Sequence, residues 1–177
     1  YPGQVEAVVT NIHTGKAEYM TVPRDKSNYS VIVASCALPI LFPPVKIGNH
    51  YYLDGGLTDS IPYKRAVRAG CDKNIVVLTR ERNYVKQTDK ITKASAWLYQ
   101  RYPKVAEDLK LRATRYNACM KELLQLESEG KAFLIVPDNL HGVSRTDSDP
   151  KRLELLYEEG YLRAKEQMTA LRNYLKS

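Results

Sequence analysis

The residues best placed to do chemistry are Asp54, Gly55 and Gly56, which come directly after the stretch Tyr51-Tyr52-Leu53. That stretch reads as a half-buried strand, and the two glycines break it at once. Glycines at such a point let another backbone or a ligand come close, because no Cβ stands in the way. A carboxylate delivered by a strand end, with no bulk beside it, is well placed for chemistry. The plainer reading is a turn aspartate before glycines, and spacing alone favours it.

The elements around these residues must hold them in place. Gln4 to Val9 reads as a strand, Asn11 to Lys16 as a turn and Ala17 to Val22 as the returning strand, with Thr14-Gly15 supplying the turn chemistry. Small and apolar residues at 29, 32, 33, 36 and 37 predict a helix from Tyr29, capped by Ser27 or Asn28. That helix must stop before Pro39, because proline disfavours helical geometry in its predecessor. Pro39 to Pro44 is an apolar loop, and Val45 to Leu53 is a hairpin turning at Gly48-Asn49. A helix starts at Asp59 or Ser60, has Pro62 in its first turn and closes at Gly70. Lys73 to Thr79 is a continuous apolar strand of the kind buried in a parallel sheet.

Composition shifts near Tyr84. Helices are expected over Asp89 to Arg101, Pro103 to about Glu129, and Pro150 to Lys176 with a break or close packing point at Gly160; Ala132 to Val136 reads as a strand. Alternating strands and helices make the chain α/β.

Ala34-Ser35-Cys36-Ala37-Leu38-Pro39-Ile40-Leu41-Phe42-Pro43-Pro44 with Asp54-Gly55-Gly56 after it resembles the patatin-like phospholipase family. Val8 to Lys16 resembles that family's strand-turn segment. Ile61-Pro62, Ala66, Gly70 and the strand Asn74 to Leu78 resemble the segment on the C-terminal side of its aspartate. The resemblance spans roughly residues 5 to 83. It implies the second half of a three-layer patatin-like α/β domain over residues 1–83, with a helix-rich extension and one strand over 84–177. It also implies lipid-ester or phospholipid hydrolysis by a Ser-Asp dyad without histidine, with Asp54 as the base and Gly55 and Gly56 as its support. No cofactor is implied.

The family's serine lies in Gly-x-Ser-x-Gly, and its oxyanion hole is a glycine-rich loop, both upstream of the matching segments. None of the serines here, at 27, 30, 35, 60, 95, 128, 144, 148 and 177, has flanking glycines at that spacing. The expectation is therefore a C-terminal part of a longer hydrolase, inactive alone, and the opening Tyr1-Pro2-Gly3 agrees with it.

Other candidates have simpler roles. Asp59 reads as a helix cap, Ser35 as a packing residue in the small-residue run, and His13 as a turn residue with no nucleophile elbow to serve. The three histidines, at 13, 50 and 141, are scattered and show no metal-ligand spacing, so no metal site is expected.

With 177 residues, 44% of them hydrophobic, the chain can bury a core of its own. Its three cysteines are widely spaced without C-x-x-C, which fits reduced thiols and a cytoplasmic protein. Between residues 80 and 121 stand eleven Lys or Arg against four acids, so the net charge of +7 resides there. Trp97, Tyr99, Tyr102 and Tyr116 lie among those cations. Such a stretch suits peripheral contact with an anionic membrane; nucleic acid is the less favoured partner. The alternative to a hydrolase is a non-catalytic basic module that binds anionic lipid or nucleic acid. The simplest reading of the segment makes its aromatics core and its charges a solvated helix face.

Overall fold

The computed structural model describes residues 3–24, 29–88, 97–144 and 147–177. It is a mixed α/β structure whose residues fall into two units, each drawing on distant parts of the chain. The first takes in residues 1–62 and 86–119, the second 63–85 and 120–177.

The first unit is built on an antiparallel sheet. Strand β1 (Glu6–Asn11) turns back into β2 (Lys16–Thr21), and a second hairpin joins β3 (Val45–Ile47) to β4 (His50–Asp54). Gly15 and Gly48 carry the positive φ values, 63° and 58°, that the two turns demand. Asn11 tightens the first turn, its Oδ1 accepting from the N–H groups of His13 and Thr14 at 3.0 and 3.2 Å. The sheet order is β2-β1-β4-β3, which makes β1 and β4 its inner strands. Their register, Val9 opposite Asp54 and Thr10 opposite Leu53, brings the carboxylate to the middle of the sheet.

Helix α1 (Ser30–Ser35) matches the small-residue periodicity and ends before Pro39 as its geometry requires. The residues expected to cap it, Ser27 and Asn28, lie outside the described residues. Pro39 to Pro44 is a loop whose apolar Ile40, Leu41 and Phe42 are exposed.

The largest helix, α3 (Pro103–Ser128), supplies Pro103–Cys119 to this unit. Val105, Ala106 and Leu109 from it join Ile12, Leu53 and Leu57 in one buried cluster. A fully buried leucine contributes roughly 2 kcal/mol, so this helix contributes to the support beneath Asp54. Tyr99 also lies in that cluster and Tyr102 packs on it, whereas Trp97 is exposed. Most of the helix expected over Asp89 to Arg101 falls outside the described residues.

The second unit contains α2 (Tyr63–Arg68), a parallel pair of strands, β5 (Asn74–Val77) and β6 (Ala132–Ile135), and two further helices, α4 (Pro150–Glu166) and α5 (Met168–Lys176). Gly70 closes α2 as its position predicts: φ is 85°, and Cys71 N–H reaches back to Ala66 and Gly70 N–H to Val67.

Three expectations need correction here. Asp59 and Ser60 do not cap α2, which begins only at Tyr63. Strand β5 is buried on one face, not two: Val76 is buried while Ile75 and Val77 are exposed, because the sheet has two strands and cover on one side. Gly160 neither breaks the last helical stretch nor packs closely: α4 runs through it, a Cβ there would meet nothing within 4 Å, and the break falls at Gln167.

Candidate functional site

Asp54 ends β4 and caps the 3-10 turn Gly55–Leu57. Both of its backbone groups are tied down. Its N–H donates to the Ala37 carbonyl at 2.9 Å, and its C=O accepts from Thr10 Oγ1 at 2.9 Å. The carboxylate is half-buried, and its Oδ1 accepts from Gly56 N–H at 2.6 Å. Its Oδ2 has no hydrogen-bond partner among the described residues. One oxygen is thus fixed by the backbone and the other remains for a further proton donor.

The two glycines act differently, and neither has positive φ. A Cβ on Gly55 would stand 2.2 Å from the Val8 carbonyl oxygen, so only a glycine lets the turn lie against β1. A Cβ on Gly56 would meet Asp54 Oδ1 at 2.9 Å and Arg112 Nη2 at 3.5 Å. Gly56 therefore keeps open the space beside the carboxylate. Its carbonyl accepts from Ser60 Oγ and from Arg112 Nε, both at 2.9 Å.

Arg112 is the residue that sequence reasoning passed over, counting it only as part of the basic stretch. A signal was present. It stands three positions after Leu109 and seven after Val105, on the apolar side of an amphipathic helix, where a charge calls for a partner.

The other candidates are spread around this turn. Asp59 has a partner of its own: Tyr19 donates its hydroxyl to Oδ2 at 2.6 Å. Thr10 and Thr58 share a hydroxyl hydrogen bond of 2.9 Å beneath the turn. His13 lies in the β1–β2 turn, its ring edge-on to Tyr102 with centroids 5.7 Å apart. Ser35 ends α1 and is half-buried.

Helix α3 is locked against the β1–β2 turn by two contacts. A Cβ on Gly15 would fall 2.5 Å from Lys104 Cβ and 2.9 Å from Asp108 Oδ2. Asp108 is buried and pairs with Arg115 at 2.5 Å. Burial pushes its carboxyl above the usual carboxylate range, and Arg115 offsets this only in part.

Several cations of the basic stretch are engaged within the fold. Arg82 pairs with Glu127, Lys104 with Glu107, and Lys86 lies over the Tyr116 ring. Among the described residues no cluster of three or more His, Cys, Asp or Glu could hold a metal ion. Among them, too, no helix is long and apolar enough to cross a membrane.

Two family models match the chain. One, described as a domain of unknown function (DUF6363), covers residues 102–176. The other, described as patatin-like phospholipase, covers residues 10–67. No curated protein matches. The motif that runs from the proline loop to Asp54-Gly55-Gly56 therefore lies inside a family match, and over residues 10–67 this chain is similar to the patatin-like phospholipase family.

Proposed function

We propose that this chain is the aspartate-bearing part of a patatin-like serine acyl-ester hydrolase, with Asp54 as the general base of a Ser-Asp dyad. The family is one of lipid hydrolases. The observation that carries the reading is the state of the Asp54 carboxylate: Oδ1 is held by Gly56 N–H, while Oδ2 has no hydrogen-bond partner among the described residues. In this reading Oδ2 takes the proton of a serine hydroxyl as that oxygen attacks the ester carbonyl. The proton then goes to the departing alcohol, and water releases the acyl group by the same exchange in reverse. The substrates are lipid esters or phospholipids.

Residues 1–83 then form the second half of a three-layer α/β catalytic domain, and residues 84–177 its helix-rich extension. The serine and its oxyanion loop belong to sequence outside this chain, since no serine here lies in Gly-x-Ser-x-Gly. The basic stretch 80–121, with Trp97 exposed, offers peripheral contact with an anionic lipid surface.

The test is hydrolysis of p-nitrophenyl butyrate by the full-length protein and its Asp54→Asn variant. The amide is nearly isosteric but cannot take the serine proton. A loss of about a hundredfold or more in kcat, with an unchanged melting curve, is expected. Near wild-type turnover in the variant would place the base elsewhere.

A further inference from the structure

We infer that Arg112 is a positioning residue for the proposed base, holding the backbone at Gly56 so that the Asp54 carboxylate keeps one orientation. The inference rests on the reading of Asp54 as the base. It gives the segment matched by a family of unknown function a part in the reaction, since Arg112 lies within residues 102–176.

The geometry is a short relay through one residue. Arg112 Nε donates to the Gly56 carbonyl at 2.9 Å, across 56 residues of chain. The N–H of that same glycine donates to Asp54 Oδ1 at 2.6 Å. Gly56 is thus held at both ends, by a cation on one side and by the proposed base on the other. Arg112 Nη2 and Asp54 Oδ1 also flank one point, the vacant Cβ position of Gly56, at 3.5 and 2.9 Å. The guanidinium therefore faces the gap beside the carboxylate.

A glycine needs such a clamp. With no side chain, the two peptide planes that meet at its Cα turn more freely about it, and hydrogen bonds are what hold them. Ser60 Oγ shares the carbonyl at 2.9 Å, but it comes from four residues along the same loop and moves with it. Arg112 comes from a helix fixed independently, through buried Val105 and Leu109 and through the Lys104 and Asp108 contacts at Gly15. A charged donor also makes the stronger bond. Removing it frees the backbone on the C-terminal side of Gly56, and the motion passes through its Cα to the N–H that holds the carboxylate. A misplacement of about 1 Å at a reacting group costs about a hundredfold in rate.

The experiment uses the full-length protein with p-nitrophenyl butyrate, and reads amide hydrogen exchange at Gly56 beside the kinetics. Arg112→Gln should lower kcat about ten- to a hundredfold with KM within about twofold, and should speed Gly56 exchange about tenfold or more. Arg112→Lys, which keeps the charge and much of the apolar stem, should recover part of the rate; it carries the test if the glutamine variant does not fold. A residue that only stabilises the fold would lower the melting temperature without this kcat-specific loss. Asp54→Asn, run alongside, separates two kinds of failure. Activity kept in Asp54→Asn overturns the base assignment and Arg112's role with it. Activity lost in Asp54→Asn but kept within about twofold in both Arg112 variants, or Gly56 exchange unchanged in them, overturns the role of Arg112 alone.

Discussion

Gly55 lies so close to Val8 that a Cβ on the glycine would stand 2.2 Å from the Val8 carbonyl oxygen and 2.6 Å from its Cβ. The turn after Asp54 is seated directly on an inner strand of the sheet, and the carboxylate's position is set by that seat.

Gly55→Ala should therefore destabilise the protein by about 2 kcal/mol or more, because β1 must shift to admit a methyl group. The comparison is Gly48→Ala in the exposed hairpin turn, where nothing lies within 4 Å and only the positive φ resists. That variant should cost about 1 kcal/mol. Equal losses in denaturant melts of the two would mean that the Val8 contact is not tight.

Asp108 gives a pH dependence with a defined sign. Burial raises its carboxyl in the folded state, so folding favours the protonated form. The stability linked to that proton is present below the unfolded value, about 3.9, and is lost as pH rises through the raised folded value. Asp108→Asn cannot ionise and escapes this loss. Thermal melts from about pH 3.5 to 7 should show the melting temperature of the variant gaining on wild type as pH rises. A gap that moves the other way would mean that the Arg115 pair outweighs burial.

The 177-residue chain by itself should not turn over p-nitrophenyl butyrate, because a base without its nucleophile forms no acyl-enzyme. Turnover abolished by mutating one of the chain's own serines would instead place the nucleophile within it.

Vesicle sedimentation checks the basic stretch. Binding should require acidic lipid and weaken steeply with salt, since the field falls off within about 8 Å at physiological ionic strength. Replacing exposed Arg101, Lys110 and Lys121 with glutamine should reduce it by about one to two orders of magnitude. Duplex DNA run beside the vesicles separates lipid from nucleic acid as the anion. Unchanged binding in the variant, or no binding to either at low salt, leaves those cations as a solvated surface.

What is local could be read from the residue types alone. Gly15, Gly48 and Gly70 carry positive φ where turn and cap chemistry require it, and Pro39 stops α1, because these effects reach only a few residues. Asp54-Gly55-Gly56 stood out for the same reason, and it lies within the span 10–67 that a family model matches. The tertiary structure alone decided the long-range relations. Asp59 looked like a helix cap but binds Tyr19, forty residues away, and the strand at Ile75 and Val77 looked fully buried but has one open face. Arg112 reached Gly56 only once the α3 face bearing Val105 and Leu109 had packed on Leu53 and Leu57. Periodicity shows that a helix has an apolar side; which turn that side covers depends on contacts between residues far apart in the chain, which no local pattern encodes.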